Sequence, residues 1–122
     1  MTRPLALIYS QKPLPGNRLA NRLQDLDYRV QAIARAEEIA FVARKTGAML
    51  ILAHVEDAKT ELVQTICNLR ESEATHHIPV ILFGNSPEII GPAHEVGATL
   101  MVETPALLTH LELFLEQVLR VD

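Results

Sequence analysis

His54, Glu56 and Asp57 crowd together at the end of an apolar run, Met49-Leu50-Ile51-Leu52-Ala53. An imidazole beside two carboxylates has three possible chemical uses. It can accept a phosphoryl group, ligate a metal, or stay neutral and close the edge of a sheet. The first two need company: an orienting partner for the ring, and further ligands for a cation. Composition alone makes the trio resemble a ligand set. Glu56 and Asp57 are read more simply as the start of a loop and the cap of the next helix, and His54 as a neutral side chain at the sheet edge.

The remaining chemistry-bearing residues are weaker candidates. His76 and His77 are adjacent in a polar stretch, and neighbouring side chains point apart more often than they chelate zinc. His94 and His110 fall on expected helix surfaces. Cys67 follows Ile66 in a helical pattern with no basic activator nearby, so it is expected to be small, buried or half-buried, and inert. Pro13-Leu14-Pro15-Gly16-Asn17 has a glycine before a helix but lacks the spacing of a phosphate-binding loop.

These residues must be positioned by the elements around them. A continuous apolar run between turn signals is a strand buried on both faces, and in an open parallel sheet ligands sit beyond the carboxyl ends of such strands. Leu5–Tyr9 is a first strand, followed by a loop over Pro13–Gly16. Asn17 would cap a helix carrying Leu19, Leu23 and Leu26, closed by Asp27. Residues 28–33 alternate as an edge-proximal strand. Ala36, Ile39, Ala40 and Ala43 form the stripe of a second helix, with Gly47 after its end. The His54 strand follows. A third helix then buries Leu62, Val63, Ile66 and Leu69, and residues 71–77 form a loop.

The second half continues the pattern. Residues 78–83 form a fourth strand with Pro79 at its start. A turn over 84–87 leads to a short helix over 88–96 that Gly91-Pro92 interrupts or delays, ending at Gly97. A fifth strand spans 98–102. Pro105 opens a last helix striped by Leu108, Leu111, Leu115, Val118 and Leu119. Strand and helix alternate five times, which implies a three-layer doubly wound α/β domain with a parallel sheet. The flavodoxin-like strand order 2-1-3-4-5 is expected, with right-handed crossovers.

The 122 residues make one domain, with a core that is aliphatic because aromatics are only 4%. Eleven Lys plus Arg face fifteen Asp plus Glu, a net charge of -4, which argues against a nucleic-acid backbone or polybasic membrane partner. No apolar run approaches the roughly 20 residues of a membrane span. The single cysteine excludes an intrachain disulfide and suits a reducing, cytoplasmic setting. The N-terminus lacks a long apolar core and a small-residue cleavage site, so it is read as a strand.

Three stretches carry a resemblance that spans essentially the whole chain: LILAHVED, HIPVILFG and EVGATLMVETP. The chain resembles the receiver domain of bacterial two-component response regulators, which implies the same fold. A receiver phosphorylates itself on an aspartate ending the third strand. An acidic pair after the first strand helps hold Mg²⁺, a Thr or Ser ends the fourth strand, and a Lys precedes the proline after the fifth. A hard cation wants carboxylate oxygens, and a phosphoryl group in transfer wants cations to offset its charge. Here the resemblance places His54 at the acceptor, Ser10 and Gln11 at the acidic pair, Gly84 at the hydroxyl and Thr104 at the lysine. Met101 takes the switch aromatic. Pro105 is retained, and the resemblance implies a cis Thr104–Pro105 bond.

The expectation is a degenerate receiver, not an enzyme, with no cofactor and no metal. It would act as a phosphorylation-independent interaction module. In receivers the face built by the fourth helix, fifth strand and fifth helix is the usual dimerisation and output surface. That makes Leu107, Leu111, Leu113 and Phe114 interface candidates, for a homodimer or a protein partner. The alternative is a flavodoxin-like domain binding a small uncharged ligand at the sheet edge, among Ser10, Gln11, Gly84, Asn85 and Thr104.

Overall fold

The computed structural model describes residues 4–10, 13–54, 59–84 and 99–119. Five parallel strands form one sheet in the order β2-β1-β3-β4-β5: β1 (Leu5–Tyr9), β2 (Arg29–Ile33), β3 (Leu50–His54), β4 (Val80–Gly84) and β5 (Leu100–Glu103). The helices are α1 (Pro13–Asp25), α2 (Ile39–Thr46, preceded by a 3-10 turn over Ala36–Glu38), α3 (Lys59–Glu71), α4 (Thr104–Thr109) and α5 (Leu111–Leu119). The doubly wound architecture and the strand order are those expected. Gln11, Glu56, Asp57, Asn85, His94 and the helix expected over 88–96 lie outside the described residues.

β1, β3 and β4 are buried at every residue, because each is central and covered on both faces. Alternation divides their side chains between two cores. Leu5, Leu7, Ile51, Ala53, Val80 and Leu82 face Ile39 and Ala43 of α2 and Leu62, Ile66 and Leu69 of α3. Ala6, Ile8, Leu50, Leu52, Ile81 and Phe83 face Leu19 and Leu23 of α1, Leu107 of α4, and Leu111 and Leu115 of α5. The edge strands are less buried. Only Ile33 of β2 is buried, and no residue of β5 is fully so.

Four features differ from the sequence reading. α1 starts at Pro13 rather than after a loop, because the first helical turn has no partner for its N–H groups and tolerates proline. α1 also ends earlier, at Asp25, and Asp27 lies beyond it with φ 68. The amide of Tyr28 donates to the Leu23 carbonyl at 3.0 Å and that of Asp27 to Gln24 at 3.0 Å, the paired bonds of a Schellman ending. The last helix is two: His110 leaves helical geometry (φ -119, ψ 30) between α4 and α5, where no glycine or proline marks a break. Cys67 is exposed on α3, not buried or half-buried. By contrast Gly47 ends α2 in the left-handed region (φ 67), as expected of a C′ glycine.

The polar stretch after α3 is tied down by three side-chain bonds. Buried Thr75 donates its Oγ1 proton to the Leu69 carbonyl at 2.7 Å. The Arg70 guanidinium donates to the carbonyls of His76 at 2.9 Å and Ile78 at 2.8 Å. Together they deliver the chain into β4 despite a loop of low hydrophobicity.

Candidate functional site: the carboxyl edge of the sheet

The parallel register brings the carboxyl ends of the central strands together. Tyr9 pairs with Ala53, His54 with Phe83, and Gly84 with Glu103. Ser10, half-buried, follows β1 directly, and Thr104 opens α4 directly after β5. Ser10, His54, Gly84 and Thr104, widely separated in sequence, therefore share one edge.

His54 shares strand parity with Leu50 and Leu52, which turns its ring toward the α1, α4 and α5 side. It is 3% exposed, and its ring centroid lies 5.1 Å from that of Phe83, with the planes tilted by 40°. That separation is the range of a favourable aromatic pair. A phosphoryl acceptor must meet its donor in line, and a ring this enclosed presents little surface for attack.

Ser10, Gly84 and Thr104 carry no charge, while Glu103, in register with Gly84, brings an exposed carboxylate to the rim. Gly84 contributes no side chain. Thr104 is half-buried, and its Oγ1 is enclosed with no hydrogen-bond partner among the described residues. Met101 pairs with Leu82 and packs against the α2 and α3 core, as an aliphatic filler at the edge strand. Among the described residues no three His, Cys, Asp or Glu side chains gather as a metal-ligand set. His76 and His77 are both exposed, with ring centroids 5.7 Å apart and nearly perpendicular.

No family model and no curated protein matches the sequence. Solved structures do. A chemotaxis protein, CheY4 of Vibrio cholerae, superposes with a TM-score of 0.79 at 21% identity, over 96% of this chain and 99% of that one. The fold is that of a response-regulator receiver domain. A putative response regulator from Chloroflexus aurantiacus gives a TM-score of 0.83 at 19% identity, covering 97% of this chain and 98% of its own. The receiver domain of a sensor histidine kinase from Pseudomonas aeruginosa gives 0.76 at 17% identity, over 97% and 98%, and that structure holds a magnesium ion in its active-site cleft.

The helices after β5 divide the expected interface residues between core and surface. Leu107 and Leu111 are fully buried in the core beneath α4 and α5, so they are corrected from interface candidates to core residues. Leu113 is 60% exposed and Phe114 is half-buried. Leu113 lines a groove of about 760 Å³ with Leu26, Tyr28, Glu112, Leu115, Glu116 and Gln117. Leu26 and Tyr28 precede β2, so this groove opens at the amino end of the sheet, opposite the edge where a small ligand was the alternative. The sequence reading passed over Leu26, Tyr28, Glu112 and Glu116. Their only signal was that α5 carries more apolar residues than one stripe needs.

Proposed function

We propose that this chain is a receiver-type signalling domain that works through protein contacts and without phosphoryl chemistry. The observation that carries the reading is His54. It occupies the end of β3 that the resemblance gives to the acceptor, yet it is enclosed and set against Phe83 as a core aromatic. Ser10, Gly84 and Thr104 around it bring no charge for a cation or a phosphoryl group. The domain is then not an enzyme. It acts in the bacterial cytoplasm as an interaction module, on itself or on a protein partner.

The test is a titration of the labelled protein with beryllofluoride or acetyl phosphate and Mg²⁺, followed by amide resonances. The expected result is no shift near His54 at millimolar additive. Saturable shifts of His54 and Gly84 would overturn the inert edge.

A further inference from the structure

The groove beside α5 has an apolar floor and an acidic wall. Leu26, Tyr28, Leu113 and Leu115 provide the floor, and Glu112 and Glu116 stand one helical turn apart on α5. Like charges at that spacing disfavour the helix that carries them, and neither glutamate has an ion pair among the described residues. A cation brought to this wall would relieve that repulsion.

The same chain carries a matching shape elsewhere. Phe41 of α2 is 59% exposed, on the side of the helix away from the buried Ile39 and Ala43. Lys45 Nζ lies 5.9 Å from the centre of its ring, and Arg44 and Lys45 are both exposed in the last turn. Phe41 and Leu113 are two of the three exposed large hydrophobic residues among those described. Phe41 has the Lys45 ammonium over its ring, with Glu37 one turn away already paired to Arg35, and Leu113 stands between Glu112 and Glu116. A groove of about 760 Å³ has room for an aromatic ring and the cationic stem beside it.

We propose that the groove between the end of α1 and α5 receives the Phe41–Lys45 knob of a second copy of this chain, joining copies head to tail. Ile39 and Ala43 place α2 on one face of the sheet, and Leu111 and Leu115 place α5 on the other. Knob and groove are thus on opposite sides of each copy. Such a heterologous contact leaves one free knob and one free groove at the ends and adds further copies rather than closing as a symmetric pair. The contact is small, so it belongs among weak, concentration-dependent interfaces.

This inference gives the interaction module of the preceding section its partner, and rests on that reading only for the idea that the last helix docks protein. Sedimentation velocity at low salt, from about 10 µM to about 1 mM, is the experiment. The expected result is a mass that climbs with concentration and falls back as salt is added. Phe41→Asp and Leu113→Asp should each remain monomeric with unchanged circular dichroism. Mixed together, they should form a one-to-one complex that grows no further, since each supplies the surface the other lacks. Lys45→Glu should weaken the mixed complex about tenfold, and Glu112→Lys with Glu116→Lys on the opposite chain should restore it. A monomer throughout the range, unaltered association of Phe41→Asp, or no complex in the mixture would each overturn the proposal. The phosphoryl-analogue titration reads the opposite edge, so either idea can fail alone.

Discussion

The rings of His54 and Phe83 sit 5.1 Å apart on adjacent strands, His54 paired in register with Phe83 and both turned toward α1 and α5. The position that the resemblance gives to a phosphoryl acceptor is here part of an aromatic pair. The carboxyl edge owes its character to this packing.

A carboxylate at position 54 should therefore harm the protein. His54→Asp places a carboxylate in a site that is 3% exposed, against a phenyl ring. Burying that charge is expected to cost about 3 kcal/mol in urea denaturation near about pH 7. Burial raises the pKa of the new carboxyl above its unfolded value, so the folded state binds the extra proton. The loss should shrink as pH falls through the raised pKa. A variant as stable as the parent at neutral pH would show that the site opens readily.

Two helix ends give opposite expectations. Gly47 has φ 67, and a Cβ built there meets nothing within 4 Å, so Gly47→Ala suffers only the left-handed backbone cost of about 1 kcal/mol. Asp27 holds φ 68 with a side chain already present. Asp27→Gly should stabilise by up to about 1 kcal/mol, since glycine adopts that conformation freely. Thermal denaturation of both variants reads the two signs.

Thr75 provides a test of the segment before β4. Its hydroxyl is buried and donates to the Leu69 carbonyl at 2.7 Å, which also receives the Ser72 amide at 3.4 Å. Thr75→Val keeps the shape and removes the donor. The expected loss is about 1 to 2 kcal/mol, with faster amide exchange at the end of α3.

Tyr28 links the groove to alkaline pH. Burial pushes its phenol above 10.0, favouring the protonated form. A folded pKa above the unfolded one contributes stability that is complete below the unfolded value and lost as pH rises through the folded one. Stability should therefore decline above about pH 10. Tyr28→Phe should remove that part of the decline, and a denaturation series against pH compares the two.

Much of the fold was legible because its strands and helices bury different periods. Ile39, Ala43 and Gly47 announced α2 and its ending, and the apolar runs at 5–9 and 50–53 announced central strands. The start of α1 was misread because Pro13 and Pro15 look like loop residues until they are placed in a first turn that needs no donors. The break at His110 had no local marker. The resemblance put Leu107 and Leu111 on a docking face, and a linear stripe does not show how deep a split helix lies.

The sequence by itself determined the alternation of strands and helices and the two-sided burial of the central strands. Those properties depend on residue type and on periods of two and 3.6, which neighbours in the chain already display. Only the tertiary structure decided that His54 packs against Phe83, that Leu107 and Leu111 are core, and that Leu26, Tyr28, Leu113 and Glu116 share a groove. Each of these depends on segments distant in sequence meeting at a register and a helix rotation, and packing across the whole domain sets both.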